Sequence, residues 1–248
     1  MITNRSSNTN IHEIAPHIYR INTPVEIGGQ FGFNFNQYLV AADQPLVFHT
    51  GPRKMFPLVA EAIRRVMPLE RLRYIGFSHF EADECGSLND FLAVAPHAEP
   101  LTGAIAKMVS VDDYAERPAR ALADGESLDL GSHVVRWFDT PHVPHGWECG
   151  FLMERTTGTL LCGDLFTQGG RGDTPLTTGD ILGPSEAMRS QMDYYAHAPT
   201  TRASLERLAA ERPKVLACMH GSAWQGDGAA LLRELADVVT GSMVAARG

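Results

Sequence analysis

Three histidines and three or four carboxylates are scattered over 248 residues, and each stands just past an apolar stretch that reads as a strand. His79, Glu81, Asp83 and Glu84 follow residues 72–77, His145 lies in the turn after 133–138, Asp164 follows 159–162 and His220 follows 214–219. Side chains within a strand alternate between two faces, so the pleat holds such groups apart. Groups just beyond strand ends can meet if the strands present those ends to one rim. Collecting them there is the strongest constraint on the fold, and it calls for an α/β architecture with its ligand-bearing loops along one edge.

The rest of the chain supplies such an architecture. Residues 18–21, 36–40 and 46–49 read as strands, the last ending at Thr50-Gly51. Phe56, Val59, Ala60, Ile63 and Val66 recur at helical spacing, with Arg64 and Arg65 on the opposite face. A strand over 72–77, a loop carrying the first cluster and a helix over 87–94 follow. The second half repeats the style, with a strand over 133–138 and a hairpin of 150–154 and 159–162 about the turn Thr156-Thr157-Gly158. Helices over 185–197 and 201–211, a core strand over 214–219 and a helix over 228–239 complete it, and glycine-rich residues 169–183 read as a long loop. The expectation is an α/β protein in which two sheets lie between layers of helix, an αββα sandwich in one domain over residues 1–248.

Composition narrows the function. The 29 acidic residues outnumber 21 basic ones, for a formal net charge of -8. Such a surface repels a phosphate backbone and no basic cluster offsets it, so no nucleic-acid partner is expected. Residues 1–10 are polar, without the apolar core of a secretory signal, and no run approaches membrane-spanning length. Cys85, Cys149, Cys162 and Cys218 form no C-x-x-C pair and no disulfide pattern, which fits a reducing cytoplasm. Three of them stand two residues from a candidate ligand, but free cysteine commonly acts as a small buried hydrophobe.

In H-x-E-x-D, three donor side chains alternate over five residues, so they converge from one extended loop without a helix. One short segment then serves two metal ions, with His79 and Glu81 on one and Asp83 on the other. Asp164, a lone carboxylate beside Gly163, is suited to bridge both; His145 completes the first set and His220 the second. His142 shares a turn with His145, which is preferred because Gly146 frees the backbone behind it. Glu84 reads equally as an extra ligand, an acceptor behind the ligands or a helix-start carboxylate, and His49 reads as a structural residue behind the site. Two divalent ions bring four positive charges against three carboxylates, or four with Glu84, so the buried assembly is near neutral. A carboxylate in place of a further imidazole favours a harder, higher-coordinate ion, which ranks iron above zinc.

The set His79-Glu81-Asp83, His145, Asp164 and His220 resembles that of the metallo-β-lactamase fold, and more narrowly the di-iron domain of flavodiiron proteins and the shorter oxygen-binding di-iron proteins. The resemblance implies two irons, with His79, Glu81 and His145 on one, Asp83 and His220 on the other, and Asp164 between. Hydrolytic members carry H-x-H-x-D-H, and this chain has Glu81 and Glu84 at the two variable places. Flavodiiron proteins continue into a flavodoxin-like module, whereas no phosphate-cradling loop and no rubredoxin-type cysteines follow His220. The expectation is a di-iron protein, with no flavin of its own, that binds O2 and reduces it when a separate rubredoxin or flavoprotein reductase supplies electrons. By the same resemblance it pairs as a homodimer. The rival reading is a binuclear hydrolase of an ester, thioester or lactone, with a metal-bound hydroxide as nucleophile. A third is a sensor whose loop 169–183 changes order when O2 binds.

Overall fold

The computed structural model describes residues 1–29 and 31–245. Among these residues, two mixed sheets stack face to face. The first contains β1 (Ile2–Asn4), β2 (Thr9–Ala15), β3 (Ile18–Ile27), β4 (Phe31–Val40), β5 (Leu46–Phe48), β6 (Tyr74–Gly76), β7 (Glu99–Gly103) and β8 (Arg120–Leu122), adjacent in chain order. Strands β1 to β5 pair antiparallel and β5 to β8 parallel. The second contains β9 (Ser127–Asp129), β10 (Val134–Asp139), β11 (Gly150–Glu154), β12 (Thr159–Leu161), β13 (Leu176–Thr177), β14 (Val215–Ala217) and β15 (Ala223–Gln225). Their spatial order is β13-β15-β14-β12-β11-β10-β9, and β12 runs parallel to β14.

Helices α1 (Phe56–Ile63), α2 (Ala82–Cys85) and α3 (Leu88–Val94) belong to the first half, and α4 (Leu182–Gln191), α5 (Thr201–Ala210) and α6 (Gly228–Ala245) to the second. The two-residue period of the strands sorts their apolar side chains into three layers. Leu46 and Phe48 of β5 point into the sandwich with Trp137, Leu152, Leu161 and Ala217 from the second sheet. Val47, between them, faces outward onto Val59 and Ile63 of α1 and Phe91 and Leu92 of α3. In the second sheet Phe151, Met153 and Leu216 face outward onto Leu205 and Leu208 of α5 and Leu232 and Leu235 of α6. The result is the four-layer αββα sandwich. No helix among the described residues is long and apolar enough to cross a membrane.

Three helices differ from the sequence reading, and the one expected over 228–239 runs on to Ala245. The helix expected over 185–197 spans Leu182–Gln191, and the chain beyond it turns back as a loop. Ala82–Cys85 makes a single helical turn inside the segment expected to be extended. The C-terminal ends of β5, β6, β12 and β14 open onto His49, His79, Asp164 and His220, and β10 leads into the turn that carries His145.

Candidate metal centre

The segment after β6 departs from pure alternation. Glu81 is extended (φ -129°, ψ 165°), but the Cys85 amide donates to the Glu81 carbonyl (3.0 Å) and closes a helical turn over the next four residues. Asp83 and Glu84 therefore project from a helix start, whereas His79 and Glu81 come from the bend before it, where the Glu81 amide donates to the His79 carbonyl (3.2 Å). Two further contacts hold this loop: the Phe80 amide donates to Glu148 Oε1 (2.9 Å) and the Gly150 amide to the Ser78 carbonyl (2.8 Å). Gly163, just before Asp164, has φ +49°, and a β-carbon there would meet Ser78 Oγ and Phe151 at 2.9 Å. Glycine alone lets the second sheet come this close to the His79 loop.

His145 and His79 face each other, with their Nε2 atoms 2.9 Å apart, while His142 is exposed on the same turn. His145 Nε2 lies 3.3 Å from Glu81 Oε1 and 3.4 Å from Asp164 Oδ2, and His79 Nε2 lies 3.6 Å from the same Asp164 oxygen. On the other side, His220 Nε2 lies 3.4 Å from Asp164 Oδ1 and 3.5 Å from Asp83 Oδ2. Donor atoms of His79, Glu81 and His145 gather in one group, those of Asp83, Glu84 and His220 in a second, and those of His79, Glu84 and Asp164 in a third. Asp164 turns one oxygen to each side.

The imidazoles are held so that these nitrogens point inward. His145 Nδ1 is 2.8 Å from the Tyr194 carbonyl and His220 Nδ1 is 2.8 Å from the Asn34 carbonyl. A carbonyl only accepts, so each Nδ1 carries a hydrogen, which leaves Nε2 of the neutral ring as the donor to a cation. His79 Nδ1 meets Ser78 Oγ at 2.9 Å, and that hydroxyl is 3.0 Å from Nε2 of fully buried His49. Two donors at ~2.1 Å from one ion sit about 3.0 Å apart at a right angle and about 3.4 Å apart at the tetrahedral angle. The observed 2.9–3.7 Å separations fall near that range.

The charges tell the same story. His145 and His79 beside it hold the Glu81 carboxyl down to about 2. Burial alone would raise Asp164, but His220, His79 and His145 hold it well below the usual carboxylate range. Burial pushes Glu84 well above that range, and the neighbouring Asp164 adds to the effect. Neither Glu84 oxygen, nor Asp164 Oδ1, has a hydrogen-bond partner although all are buried. A crowded carboxylate set with orphaned buried oxygens, faced by three imidazole nitrogens, suits a pair of divalent cations. The donors are mixed imidazole and carboxylate, and the four cysteines lie buried in the apolar layers, outside the three donor groups.

The sequence reading placed His49 behind the site but did not anticipate the other supports. Tyr194, inside the span expected as a helix over 185–197, lies in the loop after α4, and its backbone carbonyl orients His145. Asn34 lies on β4, where Phe33-Asn34-Phe35-Asn36 alternates apolar with polar, and that alternation was a readable sign of a polar inner face. Ser78 carried no signal beyond its place beside His79.

A family model described as ODP family beta lactamase matches residues 33–221. Over 206 residues the chain is 24% identical to a rubredoxin-oxygen oxidoreductase from Megalodesulfovibrio gigas, covering 79% of this chain and 50% of that protein. It is 25% identical over 145 residues to diflavin flavoprotein A 1 from Synechocystis sp., covering 57% of this chain and 25% of that protein. The chain therefore spans a quarter to a half of these relatives. The flavodiiron core of Flv1 from Synechocystis sp. superposes with a TM-score of 0.79 at 21% identity, covering 93% of this chain and 60% of the other, which establishes a shared fold.

Proposed function

Because this chain belongs to the ODP family of beta lactamase domains, we propose that it holds two iron ions at this rim and binds O2 there, reducing it when a rubredoxin or flavoprotein reductase supplies electrons. One observation carries the reading: all three inward Nε2 atoms lie 3.4–3.6 Å from an oxygen of the same buried carboxylate, Asp164. His79, Glu81 and His145 would hold one ion, Asp83 and His220 the other, and Asp164 both. A ferrous pair supplies the electrons and exchangeable positions that O2 binding needs.

The chain's own part is to fix and to shield. Carbonyls of Tyr194 and Asn34 keep two rings in the required tautomer. Phe33 stacks on the His220 ring with centroids 4.4 Å apart and Phe35 meets it edge-on at 5.4 Å, which keeps water from that flank. Glu81 is exposed and His145 half-buried, so the first group faces the open side through which a small gas enters. The carboxylate at position 81, where a hydrolytic site carries imidazole, favours iron over zinc. One relative is named for rubredoxin and oxygen, and the same donor class is our reading for this chain.

Protein reconstituted anaerobically with Fe(II) is expected to hold two irons per chain, to change its visible absorption on exposure to air, and to consume O2 with reduced rubredoxin. Absence of any optical change would overturn O2 binding. Retention of zinc from iron-replete medium, together with esterase, thioesterase or lactonase activity, would reverse the reading toward binuclear hydrolysis.

A further inference from the structure

Glu84 is a buried carboxylate that the six-ligand assignment leaves without a task. Its side chain is fully buried and neither oxygen has a hydrogen-bond partner. Its backbone carbonyl accepts the Thr50 amide (2.7 Å) and the Thr50 hydroxyl (3.2 Å), which pins the residue against the loop after β5 and turns the side chain inward. There its oxygens join donor atoms on both sides of the site, with His79 and Asp164 in one group and with Asp83 and His220 in another. Oε2 stands 3.9 Å from His79 Nε2. Asp164 also reaches both sides, one oxygen toward His220 and the other toward His79 and His145.

On the reading that the site holds two ions, we propose that Glu84 is a second carboxylate bridge, spanning the pair beside Asp164. Charge supports this directly. Glu81, Asp83, Glu84 and Asp164 balance two divalent cations, and the three imidazoles, neutral when they ligate, add nothing. A buried cluster of that composition is neutral without a further anion. An extra anionic donor also stabilises the higher oxidation state of the ions relative to a neutral group at the same place, so Glu84 biases the pair toward giving up electrons.

The test is an anaerobic Fe(II) titration of apoprotein, with bound iron per chain counted after desalting. Wild type is expected to take up two ions. Glu84→Gln, neutral and nearly isosteric, is expected to keep one and to hold the second at least about tenfold more weakly. Apo Glu84→Gln is also expected to melt above apo wild type, because it removes a buried acid crowded by other carboxylates; a glutamate with a purely structural part would give the opposite shift. Glu84→Asp keeps the charge on a shorter arm and is expected to weaken the second ion too, which preserves the test if the glutamine variant fails to fold. Two ions bound by Glu84→Gln with unchanged affinity would overturn the bridge and leave the di-iron reading standing. A wild-type chain that takes up fewer than two ions would overturn both.

Discussion

His220 shows most clearly how single residues share charge in this site. Burial disfavours its imidazolium, yet the carboxylates of Asp164 and Asp83, 3.4 and 3.5 Å from Nε2, push its pKa from 6.5 up to about 10. A raised folded pKa means that the protonated ring stabilises the metal-free protein fully below pH 6.5, and that this contribution is lost as pH rises through about 10. A cation binding at Nε2 must displace that proton. Its affinity is therefore expected to rise with pH, about tenfold per unit for each proton released, and to level off near pH 10. Calorimetric titration of apoprotein with Zn(II) across neutral pH checks the slope, and a flat profile would mean that the ring is already neutral. A neighbouring residue acts through orientation instead. Ser78 Oγ lies between His49 and His79, so Ser78→Ala is expected to weaken the ion held by His79 by about 10–100-fold. Chelator competition measures this; unchanged affinity would reduce Ser78 to a space-filling part.

Gly150 opens β11 and shows what an element must do to serve the site. Its amide ties the second sheet to the loop of His79, and its α-carbon lies against the buried Trp137 ring. A β-carbon there would collide with that ring and meet the Phe138 carbonyl at 2.8 Å. Gly150→Ala is expected to cost about 1–3 kcal/mol by overpacking and to loosen metal binding with it, read as a lower Tm and a weaker Fe(II) titration; an unperturbed Tm would mean the backbone shifts freely. The bounds of β11 are legible in the sequence, because a short apolar run closes at the turn Thr156-Thr157-Gly158. The strand ends before His79, Asp164 and His220 are legible for the same reason. The parts that stayed hidden are those made by backbone. Any residue has a carbonyl, so no residue type marks Tyr194 or Asn34 as the group that orients an imidazole. The loop that delivers Tyr194 depends on α4 stopping at Gln191 and on His197 at φ +51°, where propensity alone continues the helix. The helical turn that carries Asp83 and Glu84 is equally local, and periodicity over five residues does not resolve it.

Across the whole molecule, the donors come from both sides of the seam between the sheets. His79, Glu81, Asp83 and Glu84 follow β6 of the first sheet, whereas His145, Asp164 and His220 follow β10, β12 and β14 of the second. The apolar layer built on Phe48, Trp137, Leu152 and Leu161 holds the seam along its length. At the rim, polar ties take over: Tyr38 Oη donates to the Cys218 carbonyl (2.6 Å), Arg20 Nη2 to the Gly221 carbonyl (2.7 Å) and Asn36 Nδ2 to both (2.9 Å). These bonds pin the His220 loop to the first sheet. Two ions would add a further tie at the same place, and a ligand that binds only the folded state stabilises it by mass action. At a free concentration near 1,000 times Kd the gain is about 4 kcal/mol, or about 8–16 °C in Tm for a chain of this size. Chelation is expected to lower the melting temperature by that amount while leaving a cooperative transition. Asp164→Asn, which removes the carboxylate facing both sides, is expected to erase most of the difference. If chelator leaves the wild-type melting curve where it was, the donors do not share cations across the seam, and the arrangement of these side chains serves the fold alone.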